Sequence, residues 1–237
     1  MTLTTPDVAT AAHAAAGTAA IADTDGIDVI DQLVGIEPGS ALAALRAARP
    51  ETRANAQASF NALFAPEYPG TVTGAERFAL ATFVIGLHAD ALTRDFYTAG
   101  LRAEEGGAAL ATIVLDEVAH GATTGPYGFY PEAPLSSENV DGLRFVVAEQ
   151  NRDNLGSRLV AGLEHAHLLV FRPRESSASA LQALLDAGWS TTDIVTISQL
   201  VAFLSFQVRV IGGLRLLAAD LAASAASASS VSAPKGL

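Results

Sequence analysis

No cysteine occurs anywhere in the 237 residues, so neither a disulfide nor a thiolate–metal cluster can hold this chain together. Its fold must rest on packing alone. Alanine supplies much of the 50% hydrophobic fraction, while aromatics make only 6% and charged residues 16%. Alanine is the best helix former. At this length Leu, Val, Ile, Phe and Ala suffice to line a core. An all-α fold is the expectation. The missing thiol also excludes stapled secreted domains, iron–sulfur proteins and peroxidases that react through a thiolate. A net charge of −11 opposes a nucleic-acid partner, which needs a basic face. It opposes docking on anionic lipid for the same reason.

The first basic residue is Arg46, so neither a secretory leader nor a transit peptide is expected. Residues 1–24 read as a flexible N-terminal arm, and the Ala/Ser-rich residues 222–237 as a disordered tail. The longest uncharged apolar stretch, residues 194–208, is too short for a membrane span. A soluble cytoplasmic protein follows as the default.

Within these ends, residues 25–70 read as an N-terminal helical segment. Gly35 stops a helix over 28–34, Ser40 caps one over 41–48, and Pro50 opens one to Phe64. Residues 71–221 form the main domain. It opens on Thr73-Gly74-Ala75-Glu76, a capping box in which hydroxyl and carboxylate each satisfy an orphan N–H. An apolar helix then runs through Leu87. Ser190 and Asp193 repeat this start 117 residues later, and Phe83 and Leu200 fall at equivalent places. Two related helical hairpins are expected. Helices over 108–120, 153–171 and 179–187 lie between. The connection 121–134 is rich in Gly and Pro and carries Tyr127, Phe129 and Tyr130. Residues 140–150 are undecided between extended chain and helix.

The stretch Gly188-Trp189-Ser190-Thr191-Thr192-Asp193-Ile194-Val195, continuing through Ala202-Phe203-Leu204-Ser205-Phe206-Gln207-Val208-Arg209-Val210, resembles the C-terminal helix of the carboxymuconolactone decarboxylase / alkylhydroperoxidase-like (CMD domain) family. The segment from Glu76 to Asp95 is similar to that family's active-site helix. In the peroxidase branch this helix carries a Glu, then Cys-x-x-Cys, then His. The register sets Glu76 on the Glu, His88 and Ala91 on the two cysteines, and Asp95 on the His. The resemblance covers residues 73–217. It implies an alkylhydroperoxidase-like helical fold with an N-terminal extension, and oligomers built from helical hairpins. With both sulfurs missing it implies no peroxidase activity.

Four residues are the candidate catalytic set: Glu76, His88, Glu164 and His167. Imidazole titrates near neutrality, so His88 is able to move a proton where the relatives use sulfur. Its bland alternative is a hydrogen-bonded histidine on the apolar stripe Ala81, Val84, His88, Leu92. Glu76 serves equally as the carboxylate of the capping box. On a straight helix it lies about 18 Å from His88, so the two meet only if the helix breaks, with Gly86 the candidate, or if another subunit supplies one of them. Glu117 with His120 and Glu164 with His167 are two Glu-x-x-His pairs. Each shares a helix face, and together with Glu76 and Glu149 they are open to a di-metal carboxylate reading. They are equally open to ion pairs and helix-end cations. Glu164, His165 and His167 form the densest polar cluster on an apolar helix. Arg209 and Arg215 are open to binding a carboxylate, or to facing solvent or another subunit. No phosphate loop or nucleophile elbow is present, so no cofactor is expected.

The leading expectation is a cofactor-independent acid–base enzyme of decarboxylase, lactonase or isomerase type. It would act on a small organic molecule in a pocket between helices and assemble as a homo-oligomer. Two alternatives stand beside it: a non-catalytic binding or scaffolding oligomer, and a metal-dependent oxidase using the Glu-x-x-His pairs.

Overall fold

Every element in residues 28–231, the part of the chain that the computed structural model describes, is helical apart from turns, irregular connections and one isolated bridge between Gly128 and Val140. The arm expected over 1–24 and the end of the expected tail lie outside the described residues.

The N-terminal layer follows its capping residues. Helix α1 (Val29–Val34) begins where the Asp28 carboxylate accepts from the amides of Ile30 and Asp31, and ends at Gly35. Helix α2 (Ala41–Ala47) is capped by Ser40, and α3 (Pro50–Phe64) opens on proline. An ion cluster ties these short helices together. Arg46 bonds Asp28 at 2.6 Å and Asp31 at 2.7 Å, and Arg53 bonds Asp31 at 2.7 Å.

Helix α4 (Gly74–Leu87) is the hub. It packs on α5 (Ala91–Ala103), α6 (Gly107–Gly121), α7 (Glu149–Phe171) and the last helix, α9 (Thr191–Val231). A helix surrounded on all sides needs apolar residues all round, and residues 77–85 are buried without interruption. Even Arg77 is buried there, donating to the carbonyls of Leu63, Pro69 and Val72. Gly86 does not break the helix. It allows close approach to α6, since a β-carbon there would come within 2.6 Å of Val118.

Helix α4 ends at Leu87 as expected and does not continue to Asp95, while two other boundaries differ from expectation. Ala89 takes φ 59° and Asp90 caps a separate helix, α5, by accepting from the amide of Thr93. Helix α7 starts at Glu149, so residues 140–148 are irregular, and Gly156 interrupts α7 with φ 73° and ψ 155°. Helix α9 continues to Val231, so the boundary set at 222 falls inside a helix. Alanine there favours helix more than serine opposes it. Helix α8 (Ala178–Asp186) fits its expected span closely. By length and composition α9 suffices to cross a membrane, but half of its most apolar window is buried in the molecule.

The two related starts are neighbours. Thr73 and Glu76 form a reciprocal capping box. Ser190 and Asp193 form another, with the Ser190 amide donating to Asp193 and the Asp193 amide donating to the Ser190 hydroxyl. Arg158 of α7 bridges them, at 2.6 Å from Glu76 and 3.3 Å from Asp193. Its guanidinium also lies 3.8 Å over the Trp189 ring. Helices α4 and α9 therefore leave one charged clamp in the same direction. Fifteen residues further along each, His88 of α4 meets Ser205 of α9. The register read from the repeated starts is the register in which the two helices pack.

Candidate functional site

His88 follows the last residue of α4, where its backbone leaves the helix and its ring turns toward α9. Its Nε2 lies 3.0 Å from the Ser205 hydroxyl oxygen. Both residues are half-buried. They line a cleft of about 490 Å³ between α7, α9 and the connection after α6. The walls are mainly apolar: Pro126, Leu169, Val170, Phe171 and Val201. Arg209 closes one side, one helical turn beyond Ser205, whose carbonyl accepts from its guanidinium. A second cleft of about 530 Å³ opens on the other side of His88, toward Asp90, Gly212 and Arg215. His88 and Arg209 face both.

Burial, and secondarily the Arg209 charge, hold the His88 imidazole below the usual histidine pKa. Both causes disfavour the cation, so at neutral pH the ring is uncharged and able to accept a proton. Among the described residues Arg209 has no carboxylate partner, whereas Arg215 is engaged with Asp90 at 2.7 Å and with the Leu33 carbonyl. The cleft thus combines an imidazole whose cation is disfavoured, a hydroxyl and, at its solvent-exposed rim, a guanidinium without a carboxylate partner among the described residues.

The other candidate residues are placed elsewhere. Glu76 sits at the opposite end of α4 from His88. One of its oxygens bonds Arg158 and the other accepts from Thr73. The helix does not bend to bring it back. Asp95 lies on the exposed face of α5, paired with Arg94 at 2.9 Å.

Three of the four side chains of the two Glu-x-x-His pairs bond residues 146–148, and His167 bonds Gly121. Buried Glu117 accepts from the Ala148 amide and, at 2.7 Å, from Asn151. Glu164 accepts from the Val147 amide and pairs with Arg152 at 3.1 Å. His120 bonds the Val146 carbonyl, and His167 bonds the Gly121 carbonyl. Glu117 and His120 thereby pin the chain before α7 onto α6, Glu164 ties the same chain to α7, and His167 ties α7 to the end of α6. Among the described residues no group of three or more His, Asp and Glu converges as a metal site would require.

His167 is fully buried, with its ring stacked on Phe145 at 4.8 Å. Burial pushes its pKa down to about 4. It lies one layer behind the cleft, because Phe171, which lines the cleft, packs against its ring at 4.8 Å. His165 is also buried, and among the described residues neither of its ring nitrogens has a hydrogen-bond partner. Desolvation lowers its pKa too. The long connection after α6 supplies Gly125 and Pro126 to the cleft wall. Tyr127 stacks on Phe171, and Glu175 holds the Phe129 amide. Of the aromatic residues in that connection, Tyr127 packs behind the wall, while Phe129 is exposed and Tyr130 lies under the Arg174 guanidinium.

Two participants escaped sequence reasoning as site residues. Arg158 has no sequence signature as a clamp. Ser205 was open to discovery, because it stands at the same 117-residue offset from His88 as Ser190 does from Thr73. No family model, no curated protein and no solved structure matches the chain.

Proposed function

We propose that the protein is a cofactor-independent acid–base catalyst acting on a small organic molecule in the His88 cleft, and a cysteine-less relative of the CMD domain family. The observation that carries this is the His88 imidazole on the wall of an apolar cleft, 3.0 Å from the Ser205 hydroxyl and beside a guanidinium that has no carboxylate partner among the described residues. A base held uncharged at neutral pH and within reach of a bound molecule is what proton transfer requires. Arg209 would stabilise negative charge as it develops on the substrate. Decarboxylation, lactone opening and isomerisation all have that feature. Glu76, Glu164 and His167 support the frame in this reading, since their polar atoms are engaged in holding helices together.

The same reading has the protein as a soluble cytoplasmic homo-oligomer. Its support is the outer face of α9, where Val195 is 55% and Leu216 76% exposed, an apolar surface that association would cover. Light scattering on the purified protein tests this, and a monomer at micromolar concentration would sink it.

The functional test is a panel of lactones, 2-oxo acids and β-keto acids assayed with the native protein, His88→Ala and Glu76→Gln. The expected result is about a 100-fold loss in His88→Ala. Glu76→Gln should keep its turnover and lose thermal stability. Equal turnover in native protein and His88→Ala would remove the proposal.

A further inference from the structure

We infer that Ser205 is a nucleophile and His88 its base, in acyl transfer from small carboxylic esters and lactones. The inference rests on the reading of His88 as the proton-transfer group and adds a covalent step to it.

Hydroxyls inside helices usually turn back to the carbonyl one turn earlier. On α9 itself Thr196 does so to Thr192 at 3.2 Å, and Ser198 to Ile194 at 2.8 Å. The Ser205 hydroxyl instead lies 3.0 Å from an imidazole nitrogen of another helix. A hydrogen bond between two half-buried groups beside an open cleft exchanges with water and contributes little to folding. The pair has the separation that a nucleophile and its base require. Both members line the same cleft, with Arg209 one turn along.

With the proton of the His88 ring on Nδ1, Nε2 accepts the Ser205 proton as Oγ bonds to the substrate's carbonyl carbon. The carbonyl π electrons move to its oxygen, and the oxyanion lies beside the Arg209 guanidinium. When the adduct collapses, the ester C–O bond breaks and the leaving alkoxide takes the proton from Nε2. Water then attacks the acyl-serine, again giving its proton to His88, and releases the acid and the free hydroxyl. Backbone amides in the middle of α9 are occupied by the helix, so stabilisation of the oxyanion falls to Arg209 alone. Among the described residues no carboxylate bonds the His88 ring. The machinery is a dyad, and its turnover is correspondingly slow.

The test uses the full chain with p-nitrophenyl acetate, p-nitrophenyl butyrate and a fluorophosphonate. A burst of p-nitrophenol is expected, with the acyl and phosphonyl adducts mapped to Ser205 by peptide mass spectrometry. Hydrolysis should fall about 100-fold in Ser205→Ala and in His88→Asn. Ser205→Cys should recover acylation at the same position, which guards against a variant that merely misfolds. An adduct on any other residue, or no adduct, would overturn the inference, as would a Ser205→Ala rate within twofold of native. If Ser205→Ala keeps its rate while His88→Asn loses it, the nucleophile falls and His88 stands as a direct base. If both variants keep it, both readings fall.

Discussion

The paired helices α4 and α9 have two ends, and they are built in opposite ways. At the starting end, Glu76 and Asp193 accept from one arginine, two hydroxyls and two backbone amides, and the same arginine donates to two backbone carbonyls. Asp193 is almost fully buried and receives bonds from Thr71, Ser190 and Arg158. At the far end, His88 and Ser205 share a single hydrogen bond beside a cleft, with Arg209 lacking a carboxylate partner among the described residues. A saturated polar network stabilises because no charge is left bare. An undersaturated one contributes little to folding and is available for chemistry. The contrast separates the frame of this molecule from its candidate reactive end.

The largest expected effect tests the frame. Arg158→Met leaves the Glu76 and Asp193 carboxylates without their cation and should cost about 3–4 kcal/mol of stability. Urea unfolding measures it, and a loss below about 1 kcal/mol would show that the clamp is not a clamp. Acid should then titrate the two ends separately. Because burial lowers the His167 pKa to about 4 from 6.5, the unfolded chain binds the proton more readily within that window. Stability is complete above pH 6.5 and falls as pH drops toward 4, by up to about 3 kcal/mol from this residue. His88 and His165 act in the same direction. Hydrogen bonds outweigh burial to hold Asp193 below its usual 3.8. Its contribution is therefore lost only as pH falls through the carboxylate range below that. A His167→Gln variant whose stability still drops as steeply between pH 6.5 and 4 would break this assignment.

Smaller effects sharpen the contrast. Thr73→Ala removes one side of a capping box and should cost about 1 kcal/mol by thermal or urea unfolding. Ser205→Ala removes the hydrogen bond between His88 and Ser205 and should change stability by less than about 0.5 kcal/mol. If the order of these two were reversed, the far end would be part of the frame.

Much of the frame was legible in residues. Asp28, Ser40, Pro50, Thr73 and Ser190 start helices for local reasons: a short polar side chain reaches an amide two or three residues on, or a proline supplies the first turn. The end of α4 at Leu87 was legible, but the immediate restart of the chain as α5 was harder to read. Its signals are an αL alanine, which composition does not announce, and the cap at Asp90, which is short and lies among apolar residues. The irregular chain over 140–148 was undecided because Phe145 and Val147 are buried by tertiary packing, Phe145 between His120 of α6 and His167 of α7, a partnership that period alone does not reveal. The Glu-x-x-His pairs looked alike as chemistry. Their actual partners, the amides and carbonyls of residues 121 and 146–148, are set by how α6 meets α7.

The amino-acid order by itself determined that this chain is helical, where most of its helices begin, and that two of them share a register. Those are short-range matters, decided by propensity, caps and periodicity within a few residues. Only the tertiary structure decided which side chains became neighbours. Glu76 lies in the first turn of α4 and His88 caps its end, so a rigid rod of twelve residues keeps them about 18 Å apart. His88 and Ser205 are 117 residues apart in the chain and 3.0 Å apart in space. Helix packing brings them together.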